Sequence, residues 1–478
     1  MEDEVAIVDA ATAPVATTLQ LFWTGEGQHD HPPLSDILLH YWLDFSGSSI
    51  WLLRLPSILF YVAGIALLRL CARQLGGNAA ANNLLWLALL WPYGFHYGRL
   101  AGWYAFSFFL VSGLTLAYLR LLESPKKNNW LWLFGAALAL VYTNYYGWAM
   151  LGCLLIDFIA RQHRKGIVGI YRVAVVAAIL VLAYLPLWPL LLDEISRTNT
   201  GFNPAEIVYG GFNLYDLFVS GSVAPWYWPV GIPAAAAIAI VLVLVLIKGS
   251  SDARAYLLYF AALFAVMVAT GIVLPKRLLL ISPWLLLPVS LTLAQADRKP
   301  ARILIASLLI VTGGAGWVGV FTRDHYSTPN LIEPWEAVAA DAKQSLAEGA
   351  VVLSNHPVFF FYLTRALACA DSETCTAFTG VLPITVRHPR VFDVTQWPPA
   401  ASEAGRVIFV RGVNGNLLEA ITSAQRWLDD NCQLTHRDSV MSDSGYEWKH
   451  RMFPSHGSLP YRIEVSQYSC RASSIASP

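Results

Sequence analysis

A short segment near the start of the chain groups the side chains best suited to chemistry. In GEGQHDHPPL, Glu26, His29, Asp30 and His31 stand close together, directly before two prolines. A carboxylate can take a proton from a nucleophile, and cations can stabilise a departing phosphate; an inverting sugar transfer needs both. On local grounds alone, Asp-His before Pro-Pro is also typical of a turn that the carboxylate caps.

The elements that must position this segment are membrane helices. The 478 residues are 56% hydrophobic and 13% charged, whereas soluble domains carry about 25% charged residues. The net charge is zero without a clustered basic face, which argues against a nucleic-acid partner. A spanning helix needs about 20 apolar residues, and the sequence holds about ten such runs. They lie near residues 55–72, 81–97, 103–121, 129–143, 145–161, 170–192, 230–247, 255–273, 278–294 and 302–320.

The fourth and fifth runs are short and are separated by TNYYG. This break predicts a tight pair of helices, and a single long tilted helix is the alternative.

The basic residues of the short loops predict which side each loop faces. If residues 1–50 lie outside the cytoplasm, most of the loop Lys and Arg residues fall inside. Arg99, Lys276 and Arg277 fall outside, so they do not help to set the orientation of the chain in the membrane. Binding of an anion explains them better, and anchoring at the membrane interface is the alternative. The same count places the loop near 194–228 outside. The predicted regions are a first outer loop (1–50), a helical membrane domain (51–322) and an outer domain (323–478).

The outer domain has the pattern of a small α/β domain. EPWEAVAADAKQSLA predicts a helix that begins near Pro334, GAVVLSNHPVFFFYL and GRVIFVRG predict buried strands, and NLLEAITSAQRWLDDN predicts another helix. The NHP and RGVNG turns lack a GxGxxG or G-x-S-x-G pattern, which favours a structural or acceptor-recognition role.

Four of the six cysteines lie in this outer domain. Sequence neighbours suggest the pairs Cys369–Cys375 and Cys432–Cys470 in an oxidising compartment, and free thiols are the alternative. No Cys/His metal spacing is present.

The start of the chain lacks a segment that would deliver an outer first loop across the membrane. Either a first transmembrane helix is missing upstream of Met1, or the first long helix inserts by its own charge bias.

Several motifs together resemble the GT-C superfamily of membrane glycosyltransferases, which includes protein mannosyltransferases, aminoarabinose transferases and rhizobial lipopolysaccharide-core transferases. The main motif is DHPPLSDILLHYWLDFSGSSIWLLRLPSIL at 30–59. FHYGRLAGWYAF at 95–106, LVYTNYYGW at 140–148 and PKRLLLISPWLLLP at 275–288 extend the resemblance over most of the membrane part. The sequence departs from the family at Asn144, where relatives often have His, and Arg99 is offset by about three residues, nearly one helical turn.

The resemblance implies a catalytic acid in the first outer loop, commonly within an Asp-Glu pair. Asp3 and Glu4 stand at about that distance before HDHPPL, with Asp3 as the implied general base, although such a terminus is also typical of a solvated, frayed end. Asp30 is the second acidic candidate, for orienting the acceptor. Asp3 and Asp30 are also candidate ligands for a divalent metal, Mg²⁺ or Mn²⁺.

The resemblance further implies that basic residues bind the phosphate of the donor. His31, Arg99, Lys276 and Arg277 are the matching candidates. Arg offers a planar fork and Lys a point charge to such a group.

The expected protein is therefore mainly α. A polytopic helical bundle of about ten helices, lacking the family's first helix, carries a small extracytoplasmic α/β domain at its C-terminus. The expected function is transfer of a sugar from a polyprenyl-phosphate-linked donor to an extracytoplasmic glycolipid, glycan or protein, in a bacterial inner membrane. Tyr209, Trp226 and Tyr227 are candidates to line an acceptor path. The rival class is a lipid or solute transporter, but no internal repeat is evident and the rival leaves HDHPPL unexplained.

Overall fold

The protein divides into two compact units. The computed structural model describes residues 7, 11, 14–24, 31–46, 50–162, 168–198, 204–219, 228–271, 273–295, 299–322, 335–367, 376–377, 385–386, 388–394, 405–412, 418–441 and 462–470. One unit is Val15–Asp324, called here the membrane unit; the other is Met1–Pro14 with His325–Pro478, called here the tail unit.

The membrane unit is built from α-helices. They are α1 (Val15–Thr24), α2 (Leu34–Ser46), α3 (Ile50–Leu89), α4 (Pro92–Gly98), α5 (Trp103–Glu123), α6 (Lys127–Val141), α7 (Tyr146–Gln162), α8 (Val168–Tyr184), α9 (Trp188–Thr198), α10 (Ala205–Val219), α11 (Trp228–Lys248), α12 (Ser251–Ala269), α13 (Leu278–Ile281), α14 (Pro283–Gln295) and α15 (Lys299–Thr322). Two 3-10 turns, Leu185–Leu187 and Pro275–Arg277, connect them.

The predicted apolar runs are largely helical, but fewer helices than predicted are long enough to span a membrane. Five segments among the described residues meet the length and apolarity of a span, or six if one bent pair counts as a single span. The five are Trp51–Leu89, Trp103–Glu123, Tyr171–Ser196, Gly231–Lys248 and Ser251–Ala269. The bent pair, Pro275–Ile281 and Pro283–Gln295, meets at 58°. The prediction of about ten helices counted each apolar run as one span, whereas the structure joins some of these runs and shortens others.

Breaks between the runs follow local chemistry. Within α3, Gly77 has a φ of 69°, a conformation that favours glycine, so the helix is interrupted between the first two runs. The fourth and fifth runs form the separate helices α6 and α7, as predicted, rather than one long helix. Asn144 explains the second break, because its side-chain oxygen accepts a hydrogen bond from the Tyr146 N–H (2.8 Å) in an Asx turn that opens α7.

Helix α5 lies at the centre of the membrane unit. In the most apolar part of α5, 78% of the residues are buried inside the protein, against 22–33% for the other four spanning segments. It packs against α3, α6 and α13. Its middle is fixed by Thr115, whose hydroxyl accepts a hydrogen bond from Trp284 Nε1 (2.9 Å).

A charged network holds the other end of α5. The Tyr118 hydroxyl donates to Asp157 (2.5 Å), and Arg161 donates to Asp157 through Nε (2.8 Å) and to Asp252 through Nη2 (2.8 Å). The network therefore ties α5 to α7 and α12, and it gives each buried charge a partner of opposite sign.

The tail unit contains a mixed sheet in the order β4-β1-β5-β7-β6. Its strands are β1 (Val351–Ser354), β4 (Val391–Asp393), β5 (Arg406–Gly412), β6 (Cys432–Met441) and β7 (Arg462–Cys470), and a separate pair is β2 (Thr376–Ala377) with β3 (Thr385–Val386). Strand β1 is parallel to β4 and β5, whereas β7 is antiparallel to β5 and β6. Helices α16 (Trp335–Ala347), α17 (Pro357–Ala366) and α18 (Leu418–Asn431) complete the α/β domain that the sequence predicts.

One element of the tail unit was predicted incorrectly. The sequence favoured a strand across GAVVLSNHPVFFFYL, but the strand ends at Ser354 and the apolar run that follows forms α17. Proline suits the first position of a helix, and periodicity alone does not distinguish a short apolar strand from a buried helix. Packing of α17 against α16 decides for the helix.

The NHP turn is tied to the end of β5. Asn355 Oδ1 accepts from the Gly412 N–H (3.2 Å), and His356 stacks on Trp335 with ring centroids 4.5 Å apart. Burial lowers the pKa of His356 to about 4, so its ring is neutral near pH 7. These contacts favour the structural role for this turn.

Cys432 and Cys470 form a disulfide between the paired strands β6 and β7, as predicted. The other predicted pair, Cys369 with Cys375, lies outside the described residues.

The disulfide provides a test of which side the tail unit faces. In native membranes, we expect Cys432 and Cys470 to resist maleimide labelling until a reductant is added, because disulfides persist only in oxidising compartments. Peptide mass spectrometry of labelled and unlabelled protein measures this. Cys432→Ser is the control, since it should leave Cys470 reactive without reduction. Labelling of both cysteines in the unreduced wild-type protein would contradict an extracytoplasmic tail.

Candidate active site

The first turn of α5 is the place where candidate residues from distant parts of the sequence meet. Gly102 precedes the helix with φ 147° and ψ −175°, a region open essentially to glycine alone. Its N-cap residue, being glycine, has no side chain that could cap the turn. Its backbone N–H groups and the positive end of the helix dipole therefore favour a negatively charged group here.

His31 reaches this turn from the DHPPL motif. Its buried ring packs against Trp103, with centroids 5.6 Å apart. Its Nδ1 lies 3.1 Å from the Pro32 carbonyl oxygen and 4.0 Å from the Asp36 carboxylate. A hydrogen on Nδ1 that is shared with these oxygens leaves Nε2 as the nitrogen for a ligand.

The motif itself is held by the break between α6 and α7. The Leu34 N–H donates to the Tyr142 carbonyl (3.2 Å), which fixes the start of α2 immediately after His-Pro-Pro. Thus the two family-like motifs DHPPL and LVYTNYYGW are in direct contact.

Lys276 reaches the same turn from the opposite end of the unit's sequence. It lies in the 3-10 turn before α13, and its Nζ stands 5.9 Å from the centre of the Tyr104 ring. Because Trp103 and Tyr104 are adjacent, the structure brings His31 and Lys276 to consecutive residues at the start of one helix. This cation–π contact places the ammonium beside the first turn of α5.

Arg99 and Arg277 contact other groups. The Arg99 guanidinium lies 5.4 Å from the centre of the Phe95 ring, and that ring packs against Trp317 of α15. The charge of Arg277 acts on the phenol of Tyr146, at the start of α7. Both arginines are close in sequence to the α5 turn or to Lys276.

The predicted acidic residues Asp3, Glu4 and Asp30 lie outside the described residues, as do Trp226 and Tyr227. Within the described part of the chain, no three His, Cys, Asp or Glu side chains group as metal ligands. The expectation of a divalent metal at Asp3 and Asp30 therefore stays a prediction.

Sequence reasoning missed several polar residues of the membrane unit. Asp36 is buried beside His31, only three residues after the Pro-Pro pair. Glu206 and Asp216 are buried on α10, within what the sequence suggested was an outer loop. Two signals in the sequence could have identified these acids. One is the carboxylate in the first turn after Pro-Pro, and the other is the helical spacing of the two acids in AEIVYGGFNLYDLFV.

The arrangement can bind an anion at the end of a membrane helix. The imidazole of His31 and the ammonium of Lys276 contact the rings of two consecutive residues in this first turn, and the three groups come from separate sequence motifs. Phosphate is bound in this way at helix N-termini, because N–H groups and cations act on the same oxygens.

Gly102 provides a test of this turn. Gly102→Ala should cost about 1–3 kcal/mol and displace the first turn of α5, because an alanine Cβ is not tolerated at this φ and ψ. The midpoint of thermal unfolding of the purified protein measures the change. Gly135→Ala is the matched control, since a Cβ at Gly135 of α6 meets open space. Equal midpoints for both variants would contradict the constraint at Gly102.

Comparison with known proteins agrees with the motifs. Residues 30–188, about a third of the chain, match the family model described as Dolichyl-phosphate-mannose-protein mannosyltransferase. A search of curated protein sequences finds no match. The chain is similar to the crystal structure of ArnT from Cupriavidus metallidurans bound to undecaprenyl phosphate, with 13% identity and a TM-score of 0.51 over 98% of this chain and 93% of ArnT. For the apo state of ArnT, the identity is 13% and the TM-score 0.49, over 97% of this chain and 93% of ArnT.

At this identity the likeness to ArnT shows the fold alone, a helical membrane unit followed by a small α/β domain. The family model adds the sequence pattern that begins at DHPPL. The family match over residues 30–188 and the fold shared with ArnT both agree with the resemblance to GT-C membrane glycosyltransferases that was drawn from the motifs.

Proposed function

We propose that this protein transfers a sugar from a polyprenyl-phosphate-linked donor to an acceptor on the extracytoplasmic face of a membrane. The observation that carries the proposal is that His31 and Lys276 contact Trp103 and Tyr104, the first two residues of α5. A polyprenyl phosphate needs an anion site near the membrane surface, and a helix N-terminus beside a cation suits an anion.

The phosphate interactions have sizeable expected energies. A hydrogen bond to a charged group contributes about 1.5–3 kcal/mol, and a helix N-terminus adds about 0.3–1 kcal/mol. Lys276 and the α5 turn supply the fixed positive charge, and His31 supplies a donor or acceptor at Nε2. Arg99 and Arg277 are proposed as further cations for the donor phosphate, by their positions beside this turn and beside Lys276.

The similar proteins support this donor class. The family model over residues 30–188 is described by a dolichyl-phosphate sugar, and the ArnT crystal structure contains undecaprenyl phosphate. Both are phosphates on polyprenyl chains. The sugar, hexose or pentose, and the acceptor, whether glycolipid, glycan or protein, are not specified by these names.

The proposed reaction is an inverting substitution at the anomeric carbon. A carboxylate takes the proton of the acceptor nucleophile as the nucleophile forms its bond to the anomeric carbon. The bond from that carbon to the phosphate oxygen breaks, and its electron pair leaves with the polyprenyl phosphate. We propose Asp3 as the base, within the Asp3–Glu4 pair, and Asp30 as the acid that orients the acceptor. Cations at the phosphate stabilise the charge that develops on the leaving group.

Lys276 tests the phosphate site independently of any sugar. Lys276→Met should weaken binding of sugar-free undecaprenyl phosphate by about 10- to 100-fold, because a charge-assisted contact is lost. Native mass spectrometry or tryptophan quenching of the purified protein measures the affinity. Lys248→Met is the matched control: Lys248 is exposed at the end of α11, on the predicted cytoplasmic side, and should not affect binding. If both variants bind the lipid as the wild-type protein does, the phosphate site is not at Lys276.

The proposed acids are tested by activity. Asp3→Asn and Asp30→Asn, made separately, should each lower sugar transfer by at least about 100-fold, because general base catalysis contributes about 10²–10⁴. A panel of undecaprenyl-phosphate sugars with a membrane glycolipid extract as acceptor provides the assay. Binding of sugar-free undecaprenyl phosphate should be unchanged in both variants, which separates catalysis from folding. Undiminished transfer in both variants would refute the assignment, and a chelator added to the same assay tests the predicted Mg²⁺ or Mn²⁺.

A further inference from the structure

A cavity of about 280 Å³ lies among helices α5, α6, α7 and α8 of the membrane unit, and we call it the α6–α8 cavity. Its lining side chains are aliphatic or aromatic. The hydroxyl of Tyr118, which is in the lining, donates to Asp157 (2.5 Å), so Tyr118 presents its ring to the cavity. An apolar cavity of about 150 Å³ in a protein core can bind benzene. The α6–α8 cavity therefore has room for a segment of a hydrocarbon chain.

The α6–α8 cavity reaches the surface of the unit that faces the bilayer. Val181 lines the cavity and is 40% exposed. It belongs to the segment Tyr171–Ser196, which has the length and apolarity of a membrane span. The core of a bilayer contains no water, and an unfilled cavity loses the van der Waals contacts of its lining. The occupant that these surroundings supply is the hydrocarbon chain of a lipid.

One end of the cavity is closed by an aromatic cluster. Trp148 lines this end, stacks on Trp188 with ring centroids 5.6 Å apart, and meets the Tyr184 ring edge to face at 5.1 Å. Tyr142, whose carbonyl holds the start of α2, packs on Tyr184 at 5.6 Å. These rings close the cavity on the side of the DHPPL motif. The chain that fills the cavity therefore enters from elsewhere than the proposed phosphate site.

The other end of the cavity lies where α5 and α7 end and where α6 and α8 begin. Leu121, Trp130, Phe158 and Val173 line the cavity there. The basic loop residues predict that this end is cytoplasmic. Along α7, Phe158 is ten residues from Trp148, which corresponds to about 15 Å of helix. Because the hydrocarbon core is about 30 Å thick, the cavity has the depth of one leaflet.

Two basic side chains stand beside the predicted cytoplasmic end of the cavity. Lys127, in the first turn of α6, is three residues before Trp130, and Arg172 of α8 directly precedes Val173. Both are exposed, and neither forms an ion pair with the described residues. Basic residues at the cytoplasmic side of membrane helices attract the headgroups of anionic lipids. The charge at this end therefore complements a phospholipid whose chain lies in the cavity.

We propose that the α6–α8 cavity binds one acyl chain of an anionic phospholipid from the predicted cytoplasmic leaflet, with the lipid phosphate beside Lys127 and Arg172. This site is separate from the proposed site of sugar transfer and does not depend on the proposed function. The break between α6 and α7 holds the start of α2 through the Tyr142 carbonyl. The bound lipid therefore supports the helices that position the DHPPL motif.

Gly152→Leu tests the cavity by filling it. Gly152 lines the cavity, and a Cβ built there meets no heavy atom within 4 Å, so leucine has room to extend. Gly135→Leu is the matched control, because the Cβ of Gly135 in α6 also meets open space but does not line the cavity. Leucine favours a helix more than glycine does, so both variants should fold, and the midpoint of thermal unfolding checks this.

Native mass spectrometry of the full-length protein in detergent measures lipid binding. The probes are palmitoyl-oleoyl phosphatidylglycerol, which is anionic, and palmitoyl-oleoyl phosphatidylcholine, which has no net charge. The wild type should bind the phosphatidylglycerol more tightly. Gly152→Leu should weaken this binding by at least about 10-fold, because the leucine displaces the acyl chain from its contacts. Gly135→Leu should bind as the wild type does.

Arg172→Gln tests the headgroup without changing the cavity. It should weaken binding of the phosphatidylglycerol by about 5-fold and leave binding of the phosphatidylcholine unchanged. Lys248→Gln is the matched control, since Lys248 is exposed on the same predicted side, at the end of α11, and does not adjoin the cavity. Arg172 is exposed, so this variant keeps the test open even if Gly152→Leu fails to fold.

Two results would overturn the proposal. If Gly152→Leu and Arg172→Gln both bind the phosphatidylglycerol as the wild type does, the lipid is not bound at this cavity. If Gly152→Leu weakens binding of undecaprenyl phosphate instead, the polyprenyl chain occupies the cavity. Equal binding of the two phospholipids by the wild type would refute the anionic class. Binding of undecaprenyl phosphate should be unchanged in all four variants, so the proposed function is judged separately.

Discussion

The hydrocarbon core of a bilayer contains no water, so a buried polar group in the membrane unit must find its partner in the protein or in a ligand. Part of the unit meets this requirement internally. Tyr118, Asp157, Arg161 and Asp252 satisfy one another through bonds of 2.5–2.9 Å. Such a network stabilises a helix junction but offers a ligand little, because its donors and acceptors are already in use. The polar groups that are not matched in this way mark where chemistry can occur.

Helix α5 contains both polar groups that are matched within the protein and a first turn suited to a ligand. Its later turns are held by the Tyr118 network and by Trp284, which donates to Thr115. Its first turn is preceded by Gly102, which is at φ 147° and has no side chain to cap the turn. The contacts at the middle and far end of α5 fix the position of its first turn. They also hold Gly102 in its unusual backbone conformation, so no contact at the turn itself is needed to do so. The position of the candidate site therefore depends on contacts far from it.

The sequence allowed much of the fold to be predicted, because apolar length and break residues act locally. The separation of α6 and α7 followed from TNYYG, and the strand at 406–412 from its apolar pattern. Tertiary contacts decided the elements that were missed. The run after Ser354 is helical because it packs on α16. Helix α10 was missed because polar residues interrupt its apolar run, and the fold buries those polar residues.

The candidate site shows the same limit. His31 and Lys276 were identified from a motif and from their side of the membrane, yet each signal is confined to its own segment. Their meeting at Trp103 and Tyr104 depends on how α2, α5 and the turn before α13 pack, which neither segment encodes alone. Asp36 was missed for a related reason. An acid in the first turn of a helix usually interacts favourably with the helix dipole, so its presence does not indicate that His31 lies beside it.

The signs of the charges in the membrane unit favour one kind of ligand. Positive groups gather at the α5 turn and at Lys276, whereas the carboxylates of Glu206 and Asp216 lie along α10. A purely anionic ligand would be repelled along α10, and a purely cationic one would be repelled at Lys276. A molecule with a phosphate at one end and neutral hydroxyl groups at the other avoids both costs, because carboxylates accept hydrogen bonds from hydroxyl groups without a charge conflict. The charge pattern of this unit therefore agrees with the proposed donor, a sugar linked to a phosphate.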